Sequence, residues 1–314
     1  MKKQEATETK QKPIFSGHET FVCRYPWLPK AFDGVSKNPN LFSDEDEAMI
    51  NLGVGKNMVR SIRFWANSMG IIESQNRAGY KVTPFGESIF APNGYDPYLE
   101  DEKTLWLLHW KLCFKIEEPL FAWDFLINRW QKPNFSSSEI LETAIRLPEL
   151  SHLKLSRTTI DDHLGVFFRT YFPSRGKKEE VKEENLDSPF VELNFIEKTG
   201  ERLNPSTGHF EAVYSFRKEE KSEISDALFT YALNDFISMR FPNDITVSFK
   251  DISTGIGSPG QIFKLSERDI RERLEHINNN KESPFEFHDS SIIQQIQKKK
   301  KIPEEQILKE VYQP

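Results

Sequence analysis

Residues 52–70, LGVGKNMVRSIRFWANSMG, contain two patterns that imply different folds. The letters GVGK resemble the end of a phosphate-binding loop, whereas the letters after them have the spacing of a helix with arginines. A phosphate-binding loop needs a glycine five positions before Gly55 and a hydroxyl residue after Lys56. The sequence has Ile50 and Asn57 there. The preceding SDEDEAMIN also begins like a capped helix rather than a buried strand. We therefore set the nucleotide-binding interpretation aside.

The helical interpretation divides the same stretch into two faces. At about 100° per residue, long polar side chains fall in one stripe and apolar side chains on the other side. The polar stripe consists of Lys56, Arg60, Arg63 and Asn67. The apolar side consists of Val59, Ile62, Trp65, Ala66 and Met69. The pattern predicts a helix that packs on one face and presents hydrogen-bond donors on the other.

The flanking residues predict a winged helix–turn–helix. A short helix over residues 44–51 precedes a glycine turn, and a second helix that follows such a turn enters the DNA major groove in this motif. Gly70 can end the second helix with a positive φ. Ile71-Ile72 and Tyr80-Lys81-Val82 then predict two short strands, the wing. Thr83-Pro84 predicts a further helix start, with threonine as the cap.

The local charge agrees with nucleic-acid binding. Residues 52–86 hold five basic residues and one acid, Glu73, a balance of +4 in a chain of formal net charge −6. Phosphate binding requires a basic patch rather than a basic protein. The predicted DNA-contacting residues are Lys56, Asn57, Arg60, Arg63, Asn67, Arg77 and Lys81. The alternative is a winged helix used only for protein contacts, whose basic residues are a solvated face.

The composition indicates a cytoplasmic protein. The 314 residues include only two cysteines, Cys23 and Cys113, so a disulfide framework or a cysteine-rich zinc site is not expected. Residues 1–12 are polar and do not resemble a signal peptide. The longest apolar stretch, Leu105 to Phe114, is too short to span a bilayer. We expect no membrane association.

The pattern along the chain predicts a mixed, mainly α fold. It comprises an N-terminal winged helix–turn–helix, a central helical segment and a C-terminal α+β domain, for which a second winged helix is one arrangement. The predicted segments are a flexible tail (1–12), the winged helix (13–95), the helical domain (96–173), a charged linker or loop (174–187), the α+β domain (188–297) and a charged tail (298–314). Trp106, Leu107, Trp110 and Phe114 share a helical stripe, so we expect them buried where the helical domain meets the winged helix.

Two stretches contain candidate catalytic groups. Asp96, Glu100 and Asp101 precede a helix and could hold a divalent metal beside a phosphodiester, although acids at a helix start are also ordinary caps. In SGHETF, His18 and Glu19 are adjacent, which does not place them on one face of a helix or a strand. They are candidates as separate partners of groups elsewhere in the fold. The stretch DDH, which ends at His163, has the same ambiguity.

Several long motifs of the chain resemble a known family. FSGHETF, RYPWLPKAFD, LGVGKNMVRSIRFWA, TPFGESIF and DPYLEDEKTLWLLHWKL follow one another over about the first 115 residues, and the likeness continues through TTIDDHLGVFFRTYF and GSPGQIFKLSERDI. They resemble the bacterial domain-of-unknown-function 4007 family. That family includes the SspB-type component of DNA phosphorothioation systems, which is described as a DNA nickase encoded with sulfur-transfer and ATPase components. The resemblance carries over no catalytic motif.

Three functions remain open from the sequence. The first is a DNA-binding component of a phosphorothioation or related antiphage defence system, which nicks DNA with Mg or Mn. The second is a non-catalytic adaptor that brings the sulfur-transfer and ATPase components to double-stranded DNA. The third is a transcriptional regulator, which requires a homodimer and symmetric half-sites.

Overall fold

The computed structural model describes residues 12–75, 79–150, 153, 155–173, 188–204, 207–280, 282–290 and 292–313. The predicted linker at 174–187 and Arg77 lie outside these residues, as does all but Lys12 of the predicted tail at 1–12. The N-terminal elements are α1 (Trp27–Lys37), α2 (Glu45–Leu52), α3 (Lys56–Ser68), β1 (Ile72–Ser74), β2 (Tyr80–Val82) and α4 (Pro84–Phe90).

Local sequence explains the ends of these elements. Thr83 accepts a hydrogen bond from the backbone N–H of Gly86, so threonine caps α4 and proline occupies its first turn as expected. Strands β1 and β2 pair antiparallel, with Ile72 opposite Val82. The backbone N–H of Tyr80 also donates to the carbonyl of Pro39 at 2.9 Å, which fixes the hairpin beside the segment that precedes α2.

The central elements are mainly helical. They are α5 (Glu102–Cys113), α6 (Phe121–Trp123), a π-helical turn (Asp124–Arg129), β3 (Asn134–Phe135), α7 (Ser137–Ile145), a 3₁₀ turn (Pro148–Leu150) and α8 (Arg157–Tyr171). Strand β3 departs from the predicted helical character, and its Phe135 pairs with Tyr214 of a later strand. The N-terminal segment also joins this region, because the backbone N–H of Ile14 donates to the carbonyl of Pro119 at 2.9 Å.

The C-terminal part alternates strands and helices. Its elements are a 3₁₀ turn (Pro189–Leu193), β4 (Ile196–Leu203), β5 (Phe210–Phe216), α9 (Asp226–Arg240), β6 (Thr246–Ser248), α10 (Phe249–Thr254), α11 (Pro259–Ile262), α12 (Glu267–Asn279), β7 (Phe285–Asp289), β8 (Gln294–Lys298) and α13 (Glu304–Val311). Two three-stranded antiparallel sheets form, in the orders β3-β5-β4 and β6-β8-β7. The expectation of a mixed chain is confirmed. Within the described ranges, no helix has both the length and the apolar composition that a bilayer crossing requires.

The aromatic stripe of α5 is buried, but at a different interface from the one expected. Trp106 and Trp110 are fully enclosed, and both rings pack against Phe263, in the C-terminal part of the chain. The Trp110 indole N–H also donates to Asp235 of α9 at 3.1 Å. The prediction that this stripe faces the N-terminal unit is therefore wrong in location. The reason is that aromatic residues far along the chain supply the matching apolar surface.

The predicted charged tail is also corrected. Lys298 belongs to β8, and α13 packs against α9 with Ile307, Leu308 and Val311 buried. These three residues share one helical face, which makes the segment amphipathic rather than uniformly polar. The last helix is thus part of the core.

Replacing Leu308 with alanine should lower the free energy of unfolding by about 2–4 kcal/mol, since a buried leucine leaves a cavity. Urea denaturation should show a lower midpoint with an unchanged slope. The control Glu305→Ala, at an exposed position of the same helix, should stay within about 0.5 kcal/mol of the parent protein. Equal stability of Leu308→Ala would contradict the packing of α13.

Candidate nucleic-acid interface

Helices α2 and α3 meet at a turn of three residues. Asp44 caps α2 by accepting hydrogen bonds from the backbone N–H groups of Asp46 and Glu47, at 2.9 and 3.1 Å. Gly53 ends α2 with φ 66°, a left-handed conformation that glycine adopts without steric penalty. Gly55 then precedes α3 in extended conformation. This turn brings the start of α2 next to the start of α3.

Helix α3 has the two faces that the sequence predicts. Lys56, Asn57 and Asn67 are exposed, and Arg60 and Arg63 are half-buried. The opposite side is enclosed and consists of Val59, Ile62, Trp65, Ala66 and, just after the helix, Met69. The row of donors therefore lies at the surface, while the apolar row anchors the helix.

Glu45 of α2 binds two of these basic side chains. Its carboxylate lies 2.6 Å from Lys56 Nζ and accepts hydrogen bonds from Arg60 Nε at 2.6 Å and Arg60 Nη2 at 3.2 Å. The hydrogen bonds from Arg60 and Lys56 lower the pKa of Glu45 to about 2. The local sequence count of +4 began at residue 52, the last residue of α2, and therefore omitted this acid. The face is thus less positive than the sequence indicated.

Arg63 differs from its neighbours in its electrostatic surroundings. Among the residues that the structure describes, it forms no ion pair. It lines an open polar recess together with Phe42, Ser43, Asp44, Glu45, Asp46 and Lys56. In the hairpin, Lys81 pairs with Glu73 at 2.6 Å, and both side chains are about half exposed.

The acids before α5 act as caps. Asp96 is 5% exposed, and its two carboxylate oxygens accept the backbone N–H groups of Glu100 and Asp101 at 2.8 and 3.0 Å. Asp101 caps α5 by accepting the backbone N–H of Lys103 at 2.8 Å. Among the described residues, no group of three or more His, Cys, Asp or Glu is arranged to hold a metal ion. The predicted metal site at Asp96, Glu100 and Asp101 is corrected, because the three carboxylates are not grouped as ligands of one ion, and two of the three acids accept backbone N–H groups instead.

Replacing Asp96 with asparagine should lower the free energy of unfolding by about 1–3 kcal/mol, because an amide offers one acceptor oxygen to two backbone N–H groups. Thermal unfolding monitored by circular dichroism measures the loss. The control Glu100→Gln changes an exposed neighbouring acid and should leave the melting temperature nearly unchanged. An unchanged melting temperature for Asp96→Asn would contradict the capping role.

The SGHETF loop directs its two candidate residues to different surroundings. Glu19 and Thr20 have φ of 48° and 63°, and this backbone turns His18 into the interior. His18 Nε2 lies 2.7 Å from Nδ1 of His163 on α8. Glu19 stays half-buried near the surface. The hydrogen bond to Glu45 raises the pKa of Arg60, and the charge of Glu19 adds to that shift. His18 and Glu19 therefore face different surroundings, as the sequence predicts for adjacent residues.

The environment of His18 keeps its imidazole ring neutral. Burial, then the charge of Arg169, lowers its pKa to about 4, while Asp162 opposes the shift. Arg169 also donates to the carbonyl of Thr20 at 2.8 Å, which ties the loop to α8. The pairing of His18 with His163 was missed because 145 residues separate the two histidines and neither has a local motif.

Comparisons with known proteins agree with this architecture. Two crystal structures of SspB, one of them with bound magnesium, match with TM-scores of 0.82 (magnesium-bound) and 0.80 at 23% sequence identity. Each match covers 98% of this chain and 90% of the other. At that identity the likeness shows a shared fold. A comparison with curated proteins finds no significant match. The model of the family described as protein of unknown function DUF4007 matches residues 15–312, and the chain therefore belongs to that family.

Proposed function

We propose that residues 13–95 form a winged helix that binds double-stranded DNA, within a DNA phosphorothioation or related antiphage defence system. One observation carries the proposal: α3 follows a three-residue glycine turn and turns Lys56, Asn57 and Arg63 toward solvent while its other face is anchored. A helix so placed can enter the major groove. The fold shared with SspB and the motifs of the family support the assignment to such a system.

The hairpin completes the proposed unit. Strands β1 and β2 follow α3 directly, and Lys81 is half exposed on β2. In this arrangement the wing contacts the DNA backbone beside the groove that α3 occupies, so Lys81 and Arg77 would contact phosphates. Asn67, at the far end of α3, would contact the backbone or a base edge at the groove margin.

The C-terminal part offers a second candidate function, that of an adaptor. The order α9, β6, α10, α11, α12, β7, β8, with the sheet order β6-β8-β7, resembles that of a winged helix and supports the proposal of a second one. Its α12 presents Glu267, Glu275 and the Arg268–Glu272 ion pair toward solvent. Acids on this helix repel phosphate. This favours a protein partner, such as a sulfur-transfer or ATPase component, at this end of the chain.

DNA binding is tested by fluorescence anisotropy with a labelled duplex at salt concentrations between about 50 and 200 mM. Affinity should fall with salt in proportion to the number of phosphates contacted, by a logarithmic slope of about −0.9 for each contact. Binding absent at the lowest salt would overturn the proposal. A footprint with two symmetric half-sites would favour the transcriptional regulator instead.

Nicking is tested separately with supercoiled plasmid, with and without Mg or Mn. The residues described here do not fit a three-ligand metal site, so we derive no catalytic step through a metal. Open-circular product that requires the added ion would assign a metal-dependent nickase. Duplex binding without such product, and without two symmetric half-sites in the footprint, would favour the adaptor.

A further inference from the structure

We propose that Glu45 is a positioning residue that holds Arg60 for bidentate recognition of a guanine in the major groove. The inference rests on the proposed DNA-binding function and adds the base that α3 reads. It also gives a role to an acid in the middle of a face that should attract phosphate.

The guanidinium of Arg60 has two hydrogen-bonding edges. One edge consists of Nε and the neighbouring Nη2, and Glu45 accepts a hydrogen bond from each of these atoms, at 2.6 and 3.2 Å. No described residue forms a hydrogen bond with the other edge, which consists of Nη1 and the second hydrogen of Nη2. Two parallel donors of this kind match O6 and N7 of guanine, the commonest specific contact of arginine in the major groove.

Glu45 also favours a base over a phosphate at this position. Lys56 Nζ lies 2.6 Å from the same carboxylate, so one acid holds both cations in a fixed arrangement. A phosphate that approached Arg60 would meet the negative charge of Glu45. The guanine edge is neutral and offers only acceptors, so it avoids most of this repulsion.

The place of Arg60 on the helix suits this role. It lies in the second turn of α3, four residues after Lys56 and three after the exposed Asn57. The N-terminal residues of a recognition helix are the ones that contact base edges. The Arg60 side chain is 36% exposed, which leaves its open edge accessible while Glu45 orders the rest.

Selection from a duplex library with a randomised central segment tests the proposal on the full chain. The parent protein should enrich sites with one fixed guanine, and 7-deazaguanine at that position, which lacks the N7 acceptor, should weaken binding by roughly tenfold or more. Arg60→Lys keeps the charge but offers no fork of donors. It should bind mixed DNA with similar affinity and lose both the guanine preference and the sensitivity to 7-deazaguanine.

Glu45→Gln tests the positioning role directly. Glutamine offers one acceptor oxygen and turns an NH₂ group toward the guanidinium, so the guanine preference should fall while affinity for mixed DNA rises. Glu142→Gln changes an acid of α7 that pairs with Arg157 at 2.7 Å, outside the proposed DNA-binding face, so it is the matched control and should keep the preference. An unchanged preference in Glu45→Gln or Arg60→Lys overturns the inference but leaves DNA binding intact. If the parent protein binds no duplex at all, the proposed function and this inference both fall.

Discussion

Acidification from about pH 7 to about pH 4 should remove at least about 6 kcal/mol of folding free energy, because buried histidines stay neutral in the folded protein. The pKa of His18 and the pKa of His109 are each lowered from 6.5 to about 4, chiefly by burial. Each pKa unit corresponds to about 1.4 kcal/mol, so each histidine accounts for roughly 3 kcal/mol. Domains of this kind have total stabilities of about 5–15 kcal/mol. A loss of this size is a large share of that total, so the denaturation midpoint should fall steeply in this window.

The contacts of His18 explain why it resists protonation. The backbone N–H of Thr20 donates to His18 Nδ1 at 3.1 Å, which leaves the ring proton on Nε2. That proton is then donated to Nδ1 of His163 at 2.7 Å. An added proton on either ring would place two donors against each other. Burial, with the charge of His18, also lowers the pKa of His163.

His109 belongs to a second buried network, formed by α5, α6, α8 and α11. Its Nε2 lies 2.9 Å from the carbonyl of Ile262, so this nitrogen donates and Nδ1 accepts from the hydroxyl of Tyr171 at 2.8 Å. The Tyr171 hydroxyl in turn accepts from the indole N–H of Trp123 at 3.0 Å. Both nitrogens of neutral His109 are satisfied, and a second ring proton would compete with the Tyr171 hydroxyl hydrogen.

The direction of the pH effect follows from these lowered pKa values. Well above about pH 6.5, the pKa of a histidine in the unfolded chain, the folded and unfolded histidines are both neutral, and the stability is fully present. As the pH falls toward 4, the unfolded chain binds protons that the folded protein excludes, so stability is lost. Urea denaturation at a series of pH values should give a slope equivalent to at least two protons.

Two variants distinguish the contribution of a buried histidine to the pH slope from that of an exposed histidine. His18→Asn retains an acceptor for the N–H of Thr20 and should reduce the slope by about one proton, whatever its effect on stability at pH 7. His209→Gln changes an exposed histidine and should leave the slope unchanged. If the parent protein shows the same stability at pH 7 and pH 4.5, the buried neutral histidines are excluded.

Sequence patterns are sufficient to predict those features that depend on the residues of one element alone. The two faces of α3 follow from the residues of α3 alone, and the cap at Thr83 follows from adjacent letters. The hydrogen-bonding partner of a polar side chain cannot be predicted from the residues of one element when that partner lies on another. Glu45 meets Arg60 across a turn whose angle the sequence does not specify, and His18 meets His163 only after α8 has packed.

The errors have the same physical origin. Asp96 was ambiguous because an acid before a helix can bind either a metal or backbone amides, and only the geometry shows both oxygens occupied by N–H groups. The final segment contains charged residues around three apolar ones, and the hydrophobic surface of α9 decides that it packs. Local composition therefore does not predict the burial of a helix whose packing surface lies elsewhere in the chain.

Replacing Lys56, Arg60 and Arg63 together with alanine should lower the affinity for duplex DNA by roughly 100- to 1,000-fold at low salt. The variant loses three cations from the proposed groove-facing helix, and Glu45 then faces the DNA without its two partners. Alanine has the highest helix propensity, so α3 should remain folded. If Lys56 and Arg63 contact phosphates while Arg60 contacts a base, the logarithmic salt slope should become shallower by about 2 rather than about 3.

The matched control is the triple alanine variant of Lys132, Lys250 and Lys309, which removes the same charge from exposed positions outside the N-terminal unit. Salt screens charges that lie more than about 8 Å from the DNA at physiological ionic strength. This control should therefore bind within a few-fold of the parent protein. An equal loss in both variants would mean that net charge, rather than α3, governs binding. Parent-like affinity of the α3 variant, with its circular dichroism spectrum intact, would place the DNA-binding surface on another part of the chain.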